Sequence, residues 1–144
     1  MKLLGVNFSD GKLVSTFEEW QTEYLSLQNS VDMIIWTNPI GIKGWDTKLA
    51  TEFIMANTKI PSGGTSDNNM RFALLGRVRI AEEQGWWSGK TALRIMEGTS
   101  PEDIPVTANK ESRLYLNMEL AKHLGIKFPM ELIEKATFVK DTLN

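Results

Sequence analysis

Short apolar runs alternate with helix-forming segments along the chain, and this alternation restricts the fold more than any other feature of the sequence. The strand-type runs are "LLGVNF" (3–8), "VDMIIW" (31–36), "TKIPS" (58–62), "FALLGRVRI" (72–80) and "RLYLN" (113–117). Such an order of elements is typical of a mostly parallel sheet with helices on both faces. Because 144 residues with 42% hydrophobic content suffice for one core, the sequence predicts a three-layer α/β fold in a single domain, 1–144.

Capping residues locate several helix ends. Helices are predicted over 16–29, 47–57, 82–98, 118–125 and from 129 through about 142. Thr16 opens a capping box with the glutamate three residues later. Asn117 is a helix N-cap, and Gly125 is a typical C-terminal stop for the short helix between them. Pro129 is suited to the first turn of a terminal helix.

The stretch "GWWSGKTA" (85–92) resembles a phosphate-binding loop but fails its requirements. A P-loop has four residues between its glycines, whereas three separate Gly85 from Gly89. Two tryptophans also stand where bare backbone must approach the phosphates. We therefore predict one helix ending at Gly98, no nucleotide binding, and a Lys90 that is solvated or stacked on tryptophan.

The same helix carries a stripe of small residues at helical spacing. Its members are Gly85, Ser88, Gly89 and Ala92. A stripe of this kind allows close packing, so we expect this face to be buried against the sheet. Trp86 and Trp87 point about 100° apart on a helix, and packing is the favoured role for them, with contact to a ligand or partner lobe as the alternative.

Composition excludes several classes of function. The net charge of −2 comes from 16 basic and 18 acidic residues with no basic cluster, which argues against nucleic-acid binding. No cysteine and a single histidine, His123, argue against thiolate and multi-histidine metal sites, so neither metal nor cofactor is predicted. His123 lies in a last helical turn, where a cation complements the helix dipole. The first residues are too weakly apolar for a signal peptide or a membrane span.

Polar residues follow three of the predicted strands. In open parallel sheets, ligands bind at the carboxyl ends of the strands, which here selects the loops 37–46, 62–69 and 79–85. The candidate ligand-binding residues are Thr37, Asn38, Trp45, Ser62, Thr65, Asp67 and Glu83. Most are hydrogen-bonding rather than catalytic groups. A carboxylate pair of Asp67 and Glu83 is the less favoured interpretation, so no enzyme is predicted.

A set of motifs in the second half of the chain resembles a known family. It comprises "EEQG" at a helix start, an alanine-containing helix ending in I-x-x-G, "SPEDIPV", and LN-x-x-x-A-x-x-LGI-x-x-P near the end. These motifs resemble the substrate-binding proteins of ABC transporters related to the tryptophan/tyrosine receptor group, which have the type I periplasmic-binding-protein architecture. The resemblance begins at about Thr16 and covers the second half of such receptors.

The resemblance implies a ligand-binding lobe that delivers an amino-acid-like small molecule to an ABC permease, in the periplasm or outside the cell. It also implies that residues 113–144 form a crossover or a swapped segment. A lone lobe would leave its binding face uncovered, so we expect a two-fold homodimer. The alternatives are an extracytoplasmic sensory ligand-binding domain of a signalling protein and, less favoured, a flavodoxin-like enzyme.

Overall fold

A computed structural model describes residues 2–3, 6–8 and 11–139 of the chain. The helices are α1 (Phe17–Leu27), α2 (Thr47–Asn57), α3 (Ala81–Met96), α4 (Met118–Leu124) and α5 (Met130–Lys135). The strands are β1 (Lys2–Leu3), β2 (Val6–Asn7), β3 (Ile34–Trp36), β4 (Ser62–Gly64), β5 (Leu75–Arg79), β6 (Ser112–Leu116) and β7 (Ala136–Phe138). Two 3₁₀ turns cover Asp67–Asn69 and Pro101–Asp103.

Strands β3 to β7 form one five-stranded sheet in chain order. The pairs β3 with β4, β4 with β5, and β6 with β7 are parallel. The β5 and β6 strands are antiparallel, with Leu75 opposite Leu116. The predicted α/β class with a mostly parallel sheet is therefore confirmed.

The two ends of the chain differ from the sequence prediction. In place of one strand over 3–8, β1 and β2 form a separate antiparallel pair with Lys2 opposite Asn7, and residues 4 and 5 lie outside the described part. The predicted terminal helix from 129 to 142 is wrong, because α5 ends at Lys135 and β7 pairs in parallel with β6. Val139 N–H also donates to the carbonyl of Leu116 at 3.0 Å, so long-range backbone pairing prevails over local helix continuation. Residues 140–144 lie outside the described part.

The main core is built by three helices and the middle of the chain. Buried side chains come from α1 (Trp20, Tyr24), α2 (Ala50, Ile54), α4 (Leu120, Ala121), β3 (Ile34) and the segment before β5 (Phe72, Leu74). Each large apolar side chain buried here contributes on the order of 1.5–3 kcal/mol. The predicted caps are confirmed at Thr16, which forms the capping box, at Asn117, and at Gly125 with a φ of 66°.

A polar network ties α1 and α4 to the residue after α2. The hydroxyl of Tyr24 hydrogen-bonds the hydroxyl of Thr58, and both residues are buried. His123 Nε2 lies 3.1 Å from the carbonyl oxygen of Thr58, an acceptor, so this nitrogen donates. Burial raises the pKa of the Tyr24 phenol above its ordinary 10.0, although its hydrogen bonds to Thr58 and Gln28 oppose this. His123 therefore has a tertiary partner beyond the dipole role expected from sequence.

Two glycines allow β4 and β5 to lie under Met70. Gly64 and Gly76 face each other across the parallel pair. A Cβ added at Gly76 would lie 2.5 Å from the carbonyl oxygen of Gly64 and 2.5 Å from Met70 Sδ. At Gly64 the nearest atom would be Met70 Sδ, at 2.6 Å. Any larger residue at Gly76 would therefore collide with backbone as well as with a side chain.

Helix α3 is formed as predicted but lies outside the core. Within the described residues, none of its 16 positions is buried. A Cβ added at Gly85 or Gly89 would meet nothing within 4 Å, so the predicted packing of the small stripe on the sheet is wrong. Since β5 and β6 are adjacent and antiparallel, their link has no need to recross the sheet as a parallel crossover does. Trp86 is 67% exposed, and Lys90 Nζ lies 4.0 Å from its ring centroid, as predicted for a tryptophan-stacked lysine.

Candidate functional site

A cavity of about 480 Å³ lies beyond the carboxyl ends of β3 and β4. These two strands are parallel neighbours, so the loops that follow them meet at one edge of the sheet. The first loop leads into α2, and the second contains the 3₁₀ turn. The lining residues are Asn38, Pro39, Ile40, Gly41, Ile42, Trp45, Thr47, Asn68, Arg71 and Phe72.

Two aromatic rings of the cavity belong to the aromatic layer of the core. Trp45 meets Phe72 edge to face, with ring centroids 5.5 Å apart and planes at 88°. Trp45 also meets Trp20 of α1 at 5.0 Å and 79°. Phe72 is 2% exposed, whereas Trp45 is partly exposed toward the cavity. Because these neighbours fix both rings, the cavity has a rigid apolar wall before any ligand arrives.

Arg71 carries the positive charge of the cavity. Its side chain is half-buried, and no ion pair involves it in the part of the chain that the structure describes. Its backbone is held in place, because Asn117 Nδ2 donates to the Arg71 carbonyl oxygen at 3.3 Å. The guanidinium is therefore attached to a fixed backbone and free to meet a ligand.

Side-chain hydrogen bonds shape the loop after β3. Asn38 Oδ1 accepts the N–H of Ile40 at 3.0 Å, which leaves the Asn38 Nδ2 amide as a donor. Asn69, which is 1% exposed, donates from Nδ2 to the carbonyl of Thr37 and thereby joins the two loops. Asp46 caps α2 by accepting the N–H of Leu49 at 2.9 Å. The polar rim is thus ordered by the protein itself.

The sequence-predicted residues divide into two groups. Asn38 and Trp45 line the cavity. Thr37, Ser62 and Thr65 are not among the lining residues, and the hydroxyls of Ser62 and Thr65 bond the framework. Thr65 Oγ1 donates to the Trp36 carbonyl at 3.1 Å, and buried Ser62 bonds the carbonyl of Phe72 and the N–H of Leu74. These hydroxyls support the loops, and ligand contact by them stays a prediction.

The two predicted carboxylates lie away from the lining. Asp67 begins the 3₁₀ turn, and it contributes to the raised pKa of Arg113, whose largest cause is the hydrogen bond to Tyr115. Glu83 accepts the backbone N–H groups of Lys110 at 2.8 Å and Glu111 at 3.0 Å. These bonds lower the pKa of Glu83. Its carboxylate therefore clamps α3 to the segment before β6.

Arg71, Phe72 and Thr47 are lining residues that sequence reasoning missed. The run "FALLGRVRI" is predicted as a strand from Phe72 onward, and Arg71 lies outside the three loops selected from the sequence. In the structure β5 begins only at Leu75, and residues 71–74 still belong to the loop at the strand ends. The feature of the sequence that could have identified Arg71 is its position directly after the loop "SDNNM".

The arrangement is suited to holding a molecule. Among the residues that the structure describes, the lining contains no aspartate, glutamate, histidine or lysine, and therefore no acid and base pair. Across the described residues there is also no group of three or more histidine, cysteine, aspartate or glutamate side chains placed to hold a metal. The cavity offers amide donors, a guanidinium and a fixed aromatic wall.

A sequence model described as ABC transporter substrate binding protein matches residues 55–140, more than half of the chain. The chain belongs to this family. The match covers the segment with Asn68, Arg71 and Phe72, and it continues through β6 and β7. The family is one of substrate-binding proteins, which agrees with a cavity built for binding. None of the helices in the described part has the length and apolar character needed to cross a bilayer.

Three solved structures resemble this family member in fold. A ligand-free, open substrate binding protein with adhesive properties from Clostridium difficile is 24% identical, with a TM-score of 0.58 over 85% of this chain and 41% of that chain. An ABC domain in complex with L-Trp from Streptococcus pneumonia is 21% identical, with a TM-score of 0.62 over 88% and 44%. A conserved domain protein from Vibrio cholerae is 21% identical, with a TM-score of 0.60 over 85% and 41%. This chain thus spans less than half the length of these proteins. No curated protein matches it.

Proposed function

We propose that the chain is a solute-binding lobe of an ABC importer's substrate-binding protein, and that it holds an amino-acid-like molecule without transforming it. The observation that carries this proposal is the cavity beyond β3 and β4, with its fixed aromatic wall and without an acid and base pair. Family membership supports it, as does the L-Trp bound by the similar domain from Streptococcus pneumonia.

The isolated chain should bind weakly. The cavity is open on one side, so a ligand keeps part of its surface in water, whereas small-molecule sites usually bury 70–90% of it. A dissociation constant on the order of 1 mM corresponds to about 4 kcal/mol of binding free energy. We expect L-tryptophan to bind in that range.

Titration of the ¹⁵N-labelled chain with L-tryptophan, followed by NMR, tests this function. The shifted amides should belong to the two cavity loops, and Asn68→Ala should weaken binding several-fold. Asn68 is exposed on the lining, and none of the hydrogen bonds found in the described residues uses its side chain. Asn29→Ala changes an exposed asparagine that follows α1 and lies outside the lining, and this control should bind like the wild type. Shifts spread over the surface, or none at all with any of the twenty amino acids, would contradict the proposal.

The partner of such a lobe is an ABC permease, and its place of action is the periplasm or the cell exterior. The second candidate is an extracytoplasmic sensory domain, because the same lobe can serve a signalling protein. Neighbouring genes distinguish the two roles. An adjacent permease and ATPase support import, whereas fusion to an output domain supports sensing.

Exposed α3 provides the surface for self-association. Its exposed apolar residues are Trp86, Trp87, Leu93, Ile95 and Met96. Two copies of α3 packed antiparallel about Ser88 and Gly89 would place small residues against small residues. Leu93 and Met96 lie on the same side of α3 as Gly89, so this packing would also cover two exposed apolar side chains. The matching small and apolar surfaces favour a second copy as the occupant and a two-fold homodimer.

Gly89→Leu separates this interface from other routes to a dimer. In the monomer the substitution enters open space and should raise helix stability, but it should abolish a dimer formed through α3. Light scattering at micromolar concentration reads out the mass. A dimer that survives Gly89→Leu would instead favour exchange of residues 113–144 between copies, and a monomeric wild type would reject both.

A further inference from the structure

Arg71 is the only charged residue among the described residues that line the cavity. We infer that its guanidinium binds a carboxylate of the ligand, and that this contact determines which molecules the lobe accepts. The inference rests on the proposed function and adds the chemical class of the ligand. Arg71 is half-buried and has no carboxylate partner among the described residues, and a guanidinium is the group best suited to a bidentate contact with a carboxylate.

The neighbours of Arg71 fit an anionic end attached to a flat apolar body. Phe72, the next residue, meets Trp45 edge to face and forms the apolar wall. The Asn38 Nδ2 amide is a donor, because its own Oδ1 is used by Ile40. Donors and aromatic wall therefore lie within one cavity, with the donors matched to a negative group.

The cavity offers no matching group for a cation. None of the described lining residues is aspartate or glutamate, and the two carboxylates predicted for the site, Asp67 and Glu83, lie outside the lining. An ammonium group would find only amide, hydroxyl and carbonyl oxygens there. Affinity should therefore follow the carboxylate of an amino acid and depend little on its ammonium group.

Four probes distinguish the parts of the ligand, with ¹⁵N NMR shifts of the cavity loops as the readout. They are L-tryptophan, indole-3-propionate, which lacks the ammonium group, tryptamine, which lacks the carboxylate, and inorganic phosphate. We expect L-tryptophan and indole-3-propionate to bind within about threefold of each other and tryptamine at least tenfold more weakly, the usual effect of losing one charge-assisted contact. Phosphate lacks an apolar body and should bind more weakly than both carboxylates.

Arg71→Gln should weaken the binding of the two carboxylates at least tenfold and leave the binding of tryptamine unchanged. Arg71→Lys should restore part of the lost affinity. Arg79→Gln removes the same charge from an exposed position of β5 outside the lining and should match the wild type. Circular dichroism and melting temperature check that each variant is folded. If all three indole compounds bind with the same affinity, and Arg71→Gln does not change that affinity, the proposed function stands and this inference is wrong. If phosphate binds more tightly than the carboxylates, the carboxylate assignment is wrong. If no indole compound binds, both proposals fail.

Discussion

Asn117 connects the cavity to the core through Arg71. Its Nδ2 donates to the Arg71 carbonyl at 3.3 Å, while its Oδ1 accepts the N–H of Leu120 at 3.1 Å and caps α4. Its own N–H donates to the carbonyl of Leu74 at 2.9 Å. One buried amide thus fixes the start of a core helix and the backbone that carries the cavity's guanidinium.

Replacing Asn117 should separate these two tasks. Asn117→Ala loses both bonds and should cost about 1–2 kcal/mol of unfolding free energy through the lost cap alone. Asn117→Ser keeps a capping oxygen but is too short to reach Arg71, so it should recover about 1 kcal/mol of that loss. Urea unfolding measures both. Equal destabilisation by the two variants would show that the cap is unimportant here.

The Tyr24 phenol should make stability fall at high pH. Its pKa is raised in the folded state, so its stabilising contribution is complete below about pH 10 and is lost as the pH rises through the folded value. Melting temperature measured between about pH 8 and 11 should decline more steeply for the wild type than for Tyr24→Phe. Tyr115→Phe, which alters the other tyrosine, should keep the steep decline. Parallel curves for the wild type and Tyr24→Phe would contradict the assignment.

The Glu83 clamp should open in acid. Its pKa lies below the ordinary 4.5, so the clamp is complete above about that pH and is lost as the pH falls through the lower, folded value. The amides of Lys110 and Glu111 should lose protection from hydrogen exchange there, after correction for intrinsic rates. Glu83→Ala should remove the protection at every pH. Glu82→Gln is the control, and protection that survives in Glu83→Ala would refute the clamp.

Gly76→Ala should be among the most destabilising single-methyl changes in the sheet. The new Cβ collides with the Gly64 carbonyl oxygen, a backbone atom, so we expect a loss of about 1–3 kcal/mol. Adding Met70→Ala should not restore stability, because the backbone contact remains. Gly89→Ala offers a contrast, since it enters open space on α3 and should add about 0.5–1 kcal/mol. Chemical unfolding measures the stability of each variant. An unchanged free energy of unfolding for Gly76→Ala would contradict the packing described.

Local signals predicted helices α1 to α4 well. The caps at Thr16 and Asn117 act within three residues of sequence, so the pattern alone locates them. The parallel strand β7 and the exposed position of α3 depend on pairing between distant segments. No local pattern distinguishes a stripe of small residues that packs on the sheet from one that stays exposed.

The position of the cavity follows from a general rule of parallel sheets, whereas its full lining does not. The rule for parallel strand ends selects the loops with Asn38 and Trp45, which line the cavity. It does not show that Arg71 still belongs to a loop. It also does not show the hydrogen bonds of Glu83, because the backbone N–H groups that this carboxylate accepts lie 27 and 28 residues further along the chain.

The antiparallel pairing of β5 with β6 also bears on how such a protein can change over evolution. Arg79 stands opposite Ser112, so the intervening segment leaves the sheet and returns to it at neighbouring positions. The Glu83 carboxylate joins the two ends of this segment, because it accepts backbone N–H groups just before β6. Insertions, deletions or a grafted helix between these two points would leave the ladder of five strands and the cavity at its other loops in place. The segment between β5 and β6 is therefore an attachment point, at which a lineage can change the outer surface of the protein while keeping its cavity.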